Sequence, residues 1–285
     1  MHWLLLVCVL TTAIFVRLSA ALWPGKLNWQ GALTLFALPP LLLISTCIAI
    51  VLMGCGRMFG YQAHLGSHLV AGGFLLWSVM WGFVLSWQAW QTQRQLSALP
   101  RVTRDGRSLH LLPANVPYCA QVGSWQPQLC ASEGLFVLLN PTQLEAVFAH
   151  EEAHMFYRDT LIFFALGWLK RCTFFLPQTR SLWDELLWFR ECRADQKAAE
   201  HCDPLVLAEA LTLMVQPANF SAGSSSTFPL QVAFASHHPR LLIRIEALLT
   251  LPVPSAPPTV PYWLSFLQLA IAFIPLIFIP WHIKP

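Results

Sequence analysis

The chain has 285 residues, of which 56% are hydrophobic and 11% are charged, and its formal net charge is +3. A soluble globular domain normally carries about a quarter charged residues, so this composition excludes an ordinary soluble protein and indicates an integral membrane protein. The small net charge gives no reason to expect a nucleic-acid partner.

Three apolar runs in the first 93 residues are long enough to cross a bilayer. The first could pass for a secretory signal, but no Lys or Arg precedes it and Arg17 lies inside its terminal part, so we predict a retained span. Pro39-Pro40 falls in the second run, where membrane helices tolerate a kink. The predicted spans cover about residues 3–22, 31–53 and 69–90.

Residues 94–260 are more polar and are predicted to form a second domain. Four arginines follow the third span, and three short strand candidates come next, punctuated by Gly and Pro. The predicted strands are Ser108–Leu112, Pro117–Val122 and Gln128–Ser132. A small sheet is therefore expected to lead into the helix described next.

The segment His150-Glu151-Glu152-Ala153-His154 reads His-Glu-x-x-His. Asn140 as N-cap, Pro141 at the first helical position and Gln143 in a capping box predict a helix that carries it. Histidines four residues apart lie on one face of a helix and can reach one metal ion. Glu151 would then take a proton from metal-bound water. The pattern also arises by chance, so the next motif decides its meaning.

A second helical stretch, residues 188–199, carries Glu191 and Asp195 one turn apart. Catalytic zinc usually takes three protein ligands and leaves the fourth position for water. Glu191 would complete a set with His150 and His154, and Asp195 could accept the free ring N–H of a ligating histidine. A solvated helix with an acidic edge is the alternative for this stretch taken alone.

These motifs resemble those of the gluzincin membrane metallopeptidases, which carry Glu-x-x-Ala-Asp downstream of His-Glu-x-x-His. The segment from Ser236 to Ile245 is also similar to their Ser-His-Pro-(x)4-Arg-Ile pattern. It matches at His238, Pro239, Arg244 and Ile245. The resemblance covers about residues 100–248 in motif order, and two branches compete, the BlaR/MecR type and the HtpX/CAAX-protease type.

The resemblance implies an α-helical integral membrane protein with about four transmembrane helices and a cytoplasmic α+β gluzincin-type zinc metalloprotease domain. It implies Zn²⁺ as cofactor, held by His150, His154 and Glu191, with Glu151 as catalytic base. His238 matches the family's His-Pro position and is a candidate donor to the oxyanion; His237, or a structural role for both histidines, is the alternative. The edge strand that takes the substrate in this family would be Gln128–Ser132, unless that strand only braces the helix.

The interval between the zinc motifs favours one branch. Thr160 to Leu176 is apolar, and if it crossed the membrane once, Glu191 would emerge on the opposite side from the two histidines. We therefore predict a re-entrant or interfacial segment at about residues 160–176. The HtpX type has two full spans in this interval, whereas the BlaR/MecR type has a short returning segment, so the BlaR/MecR branch is favoured.

A fourth span is predicted from Tyr262 to Pro280, within a C-terminal segment of residues 261–285. All Lys and Arg except Arg57 and Lys284 fall on the side of the catalytic segment, so the positive-inside rule predicts a bacterial-type inner membrane protein with its active site in the cytoplasm and both termini outside.

Cys119 and Cys130 could bridge two strands, but a cytoplasmic domain would keep them reduced. Only residues 281–285 follow the fourth span, so no penicillin-binding sensor domain is expected.

The expected function is hydrolysis of peptide bonds in a protein or peptide substrate, as regulated cleavage of a cytoplasmic regulator or membrane protein in signalling. The lipid bilayer and a separate sensor or repressor protein are the other partners considered. Two alternatives stay open: membrane-protein quality control by an HtpX-like protease, and a non-catalytic membrane scaffold or signalling partner. An intact Glu151 argues against the scaffold, because a binding module has no use for a general base.

Overall fold

The structure is a computed structural model in which the chain forms two compact units. It describes residues 2–20, 27–54, 57–58, 61–62, 65–104, 106–215, 241–250, 270–277 and 279–281. The first unit comprises Met1–Trp87, Phe164–Leu187 and Pro258–Pro285, and the second comprises Gln88–Phe163 and Trp188–Pro257.

The first unit contains helices α1 (His2–Ser19) and α2 (Trp29–Met53) and most of α3 (Leu65–Ser97), with a hairpin of β1 (Arg57–Met58) and β2 (Tyr61–Gln62) between α2 and α3. All three helices are long and apolar enough to cross a membrane. The first part of the predicted fourth span, Tyr262–Pro280, lies outside the described residues, which resume at Ala270. Its described part packs Leu276 and Ile279 against Ala49 and Met53 of α2.

A buried arginine joins α1 to α2 at the proline pair. Pro40 has no N–H, so the carbonyl of Phe36, one turn earlier, has no helical donor. Arg17 of α1 supplies one, because its Nη2 donates to that carbonyl at 2.9 Å and its guanidinium lies 4.8 Å from the Phe36 ring centroid. Arg17, whose charge argued against a cleaved signal sequence, thus donates to the carbonyl that Pro40 leaves without a helical donor.

The second unit contains a four-stranded sheet of β3 (Arg101–Arg104), β4 (Arg107–Leu112), β5 (Cys119–Val122) and β6 (Gln128–Ser132), in the spatial order β3-β4-β6-β5. β6 pairs parallel with β4 and antiparallel with β5. The prediction of Gln128–Ser132 as the edge strand is therefore wrong. β6 is central because the chain crosses from β4 past the position of β6 to form β5 first, which leaves β5 at the edge.

Alternate residues of the sheet build two separate cores, as the period of a strand requires. Leu109, Leu129 and Cys119 share one core with the helices named below, whereas Cys130 belongs to a core with Tyr118 and Val122. Cys119 and Cys130 lie on opposite faces and are both free thiols. This geometry excludes a disulfide between them without rearrangement of the strand.

Helices follow the sheet. α4 begins at an N-cap, Ser132, whose hydroxyl accepts the N–H of Leu135. α6 has only 14 residues, fewer than the roughly 20 that a transmembrane helix needs. Trp168, in the part of α6 that belongs to the first unit, donates to the carbonyl of Ser78 in α3 at 2.8 Å. The helices are α4 (Glu133–Leu138), α5 (Pro141–Phe156), α6 (Asp159–Cys172), α7 (Thr179–Ala198), α8 (Pro204–Val215) and α9 (Leu241–Thr250).

Candidate metal centre

The His-Glu-x-x-His segment lies on α5, which begins as its sequence predicts. Asn140 Oδ1 accepts the N–H of Gln143 at 2.9 Å, and Gln143 Oε1 accepts the N–H of Asn140 at 3.0 Å. This reciprocal capping box fixes where the helix starts and therefore which side chains face inward. His150 and His154 both lie on the buried side.

Three nitrogen and oxygen donors converge at one point of the second unit. The Nε2 atoms of His150 and His154 are 3.1 Å apart, and the Glu191 carboxylate of α7 lies 3.6 Å from the first and 3.8 Å from the second. Donors around a tetrahedral zinc, at about 2.0–2.1 Å from the ion, lie about 3.3 Å from one another. The observed separations bracket that value, so the three side chains fit a tetrahedral ion with one position open.

His150, Glu151 and His154 also place ligand atoms within 4.8 Å of one another, and this group could hold a metal ion. Glu151 therefore competes with Glu191 for the role of third ligand. The backbone N–H of Gln121 holds Oε2 of Glu151 at 3.0 Å, whereas the Glu191 carboxylate approaches the Nε2 atoms of both histidines at 3.6 and 3.8 Å. We accordingly assign the third ligand to Glu191 and the proton-accepting role to Glu151 in the proposal below.

The orientation of the His150 and His154 rings is consistent with a cation between their Nε2 atoms. Both Nδ1 atoms lie against carboxylates, which favours the tautomer with its proton on Nδ1 and a lone pair on Nε2. Two lone pairs 3.1 Å apart repel each other unless a proton or a metal ion lies between them. The two histidines therefore belong to a group that could hold a metal ion.

Asp195 orients His150. Its Oδ1 lies 2.9 Å from Nδ1 of His150, at an angle outside that of a linear hydrogen bond. Arg244 of α9 holds the same carboxylate with two hydrogen bonds, from Nε at 2.8 Å and from Nη2 at 2.9 Å. Burial alone would raise the pKa of Asp195, but the positive charge of Arg244 and the contact with His150 hold it below its usual value. The structure places the Asp195 carboxylate beside Nδ1 of His150, and its role behind a metal ligand stays a prediction.

Asp159 orients the other histidine, and sequence reasoning missed it. Its Oδ2 lies 2.8 Å from Nδ1 of His154, and Arg193 of α7 binds its other oxygen. Arg158 has a φ of 53°, a left-handed conformation that turns the chain between α5 and α6 and returns Asp159 to the histidine. The available signal was an acid five residues after His154, where a new helix starts.

If the site holds zinc, replacing Asp159 by Ala is expected to weaken zinc binding about 10- to 100-fold, as loss of the carboxylate behind a metal-bound histidine commonly does. The reason is that His154 would lose the acceptor that fixes its tautomer and ring orientation. Competition with a chromogenic chelator measures the affinity. Glu209→Ala, an exposed acid on α8, is the matched control, and equal affinities of the two variants would contradict this role.

Two arginines hold the Glu191 carboxylate from opposite sides. Arg190 donates from Nε to Oε1 at 2.8 Å, and its Nη2 lies 2.6 Å from the same oxygen. Arg244 Nη1 lies 3.3 Å from Oε2. Because Glu191 is buried, these two charges offset the cost of desolvating its carboxylate in the absence of an ion.

In the metal-free protein a proton takes the place of the cation. Burial alone lowers the pKa of His150, but its contacts with Asp195 and Glu191 outweigh burial and raise the pKa to about 10. His150 is therefore protonated below about pH 10 and must lose that proton to bind a metal ion.

Zinc binding near pH 7.5 is consequently expected to release about one proton from His150, and the release should disappear above about pH 10. Titration calorimetry in two buffers with different ionisation enthalpies measures the proton count directly. Enthalpies that do not depend on the buffer at about pH 7.5 would show that His150 is already neutral in the metal-free protein.

The two other acids of α5 have a separate partner. Glu145 and Glu152 both bind Arg107 of β4, at 3.2 and 2.7 Å, and their side chains are largely exposed. These contacts account for both carboxylates without a catalytic role. His237 and His238 lie outside the described residues, so the oxyanion role of His238 stays a prediction.

No protein-family model, curated protein or solved structure matches the chain.

Proposed function

We propose that the protein is an integral membrane zinc metalloendopeptidase. The observation that carries this proposal is the convergence of His150 Nε2, His154 Nε2 and the Glu191 carboxylate, 3.1–3.8 Å apart, with a second carboxylate, that of Glu151, beside the same two histidines. Three ligands of this type with one open position are the donor set of a catalytic rather than a structural zinc site.

Each residue of the proposed site has a separate role in the reaction. When bound, a zinc ion lowers the pKa of a water molecule and polarises a carbonyl oxygen. Glu151 accepts the proton of that water and later delivers it to the amine that leaves. Asp195 and Asp159 keep His150 and His154 in their ligating orientation, and neither of these two carboxylates takes part in the proton transfer.

The outer edge of β5, which pairs with no further strand among the described residues, is the surface on which a peptide would bind. Gln121 of β5 donates its N–H to Glu151, so the edge strand lies beside the residue proposed to be the base. An extended peptide added to this edge would present its backbone to the metal centre through main-chain hydrogen bonds. The substrate strand is therefore expected on β5 rather than on β6.

A cavity of about 260 Å³ adjoins this edge in the second unit. Leu129 forms part of its wall, and charged or polar groups from β4, β6 and α5 form most of the rest. Its lining includes Arg107, Gln121, Gln128, Leu129, Glu152 and Met155. The volume suits a single substrate side chain, which makes the cavity the candidate for sequence preference.

The membrane setting of the proposal rests on the three apolar helices of the first unit. With the positive-inside distribution of Lys and Arg, these helices favour an inner-membrane protein that cleaves a cytoplasmic regulator or a membrane protein. The identity of the substrate is open to experiment.

The proposal is tested with the full chain in detergent or nanodiscs. The zinc-loaded protein should cleave a library of unstructured peptides, and cleavage should stop with a chelator and return with added zinc. A purified protein that contains zinc but leaves every peptide in the library intact, while His154→Ala behaves identically, would contradict a peptidase function.

A further inference from the structure

The backbone N–H of Gln121 has a special position in the sheet. Ser132 donates its N–H to the carbonyl of Tyr118 at 2.9 Å, and the register pairs Ala120 with Cys130. In an antiparallel ladder the paired and unpaired residues alternate, so the N–H groups of residues 118, 120 and 122 face β6. The N–H of Gln121 therefore points away from the sheet, along the free edge of β5.

That outward donor is already used. Glu151 Oε2 accepts it at 3.0 Å, and Glu151 is buried, with 8% of its surface exposed. A hydrogen bond between an N–H and a carboxylate is stronger than one between neutral groups. The proposed base and the proposed substrate-binding edge thus share one hydrogen bond.

A peptide added to β5 needs the same donor. Each outward N–H of an edge strand donates to a carbonyl of the added strand, and Gln121 is the outward residue that faces Glu151. The carbonyl of the peptide and the Glu151 carboxylate cannot both accept this single N–H with good geometry. Binding of an extended peptide along β5 must therefore displace Glu151.

We propose that Gln121 is a positioning residue whose backbone N–H holds Glu151 until an extended substrate takes its place, so that strand addition itself frees the base. This inference rests on the proposed peptidase function and adds a rule of specificity to it. Substrates that pair along β5 free Glu151, whereas short substrates that reach only the metal centre leave Glu151 bound to the edge.

The first experiment measures the hydrogen bond without any catalysis. Amide hydrogen exchange of the β5 peptide, resolved by fragmentation, should show Gln121 exchanging about tenfold faster in Glu151→Ala than in the wild-type protein. Glu151→Gln keeps an acceptor oxygen and should retain the protection. Glu152→Ala, the neighbouring exposed acid, is the matched control and should have no effect. Unchanged exchange in Glu151→Ala would overturn the inference.

The second experiment measures its consequence. Gln121→Pro removes the N–H, and proline is tolerated where an edge-strand N–H faces outward. In this variant kcat for a short substrate should rise severalfold, while kcat/KM for an extended substrate falls about tenfold with the lost strand bond. Gln121→Ala retains the N–H, so its activities on the two substrates should not change in opposite directions, even though the cavity wall loses the Gln121 side chain.

The outcomes separate the inference from the function on which it rests. A parallel fall of activity on both substrates in Gln121→Pro would mean a merely structural role and would overturn the inference, with the peptidase function intact. Cleavage of neither substrate by the wild-type protein would remove the proposed function, while the exchange experiment would still decide whether Glu151 is bound to Gln121. If Gln121→Pro does not fold, the exchange experiment alone decides.

Discussion

Replacing Glu151 by Gln is expected to lower kcat for peptide hydrolysis by about 10²- to 10⁴-fold, the range that general acid–base catalysis contributes. Glutamine has the same shape and can still accept the N–H of Gln121, but it cannot take a proton from water. The zinc content should stay at the wild-type level, because the ion is assigned to His150, His154 and Glu191. Initial rates with a peptide substrate and elemental analysis of the same sample measure both quantities.

The matched control is Glu209→Gln, which changes an exposed acid of α8 in the same way. Glu209 lines neither the metal centre nor the cavity in the described part of the chain, so the rate of this variant should remain within about twofold of the wild type. A Glu151→Gln variant with unimpaired hydrolysis would remove Glu151 from the reaction. Loss of zinc in this variant would instead make Glu151 a ligand.

Replacing Arg244 by Leu is expected to destabilise the second unit by about 3–5 kcal/mol, because it leaves the buried carboxylate of Asp195 without its arginine and the buried carboxylate of Glu191 with Arg190 alone. Arg244 itself is only 7% exposed, so water cannot replace it without opening the unit. A decrease of roughly 10 °C in the midpoint of thermal unfolding would correspond to this loss. Circular dichroism of the metal-free protein measures it.

A double mutant tests whether Asp195 and Arg244 contribute to stability as a pair. Asp195→Leu combined with Arg244→Leu removes both charges and should recover much of the lost stability, since an apolar pair is often equivalent to a buried ion pair. A double mutant that is as unstable as the sum of the two single variants would show that the two side chains are not coupled. In that case α9 would depend on other contacts.

The sequence alone predicted the features that depend on residues close together in the chain. The capping box of Asn140 and Gln143 located the start of α5, and helical spacing then placed His150 and His154 on one face. Spacing likewise placed Glu191 and Asp195 on one face of α7. Strands β4, β5 and β6 were recognised from their composition and turns, to within a residue or two at their ends.

What the sequence did not reveal depends on tertiary contacts. Strand order is set by how the chain crosses the sheet, so the edge position of β5 could not be deduced from neighbouring segments. Asp159 meets His154 only because Arg158 adopts a left-handed conformation. Arg244 matched the family pattern, but the sequence indicated no role for it. The role could not be deduced because Asp195, which Arg244 binds, lies 49 residues away in the chain.

The measurement that tests the central claim most directly is the zinc content of the purified protein and of two variants, Glu191→Ala and Glu152→Ala. The proposed site predicts about one zinc per chain in the wild type and in Glu152→Ala, and a strongly reduced content in Glu191→Ala. Full zinc content in Glu191→Ala would contradict the assignment of the third ligand. A wild-type protein that takes up no zinc even when the metal is supplied would contradict the metal centre itself.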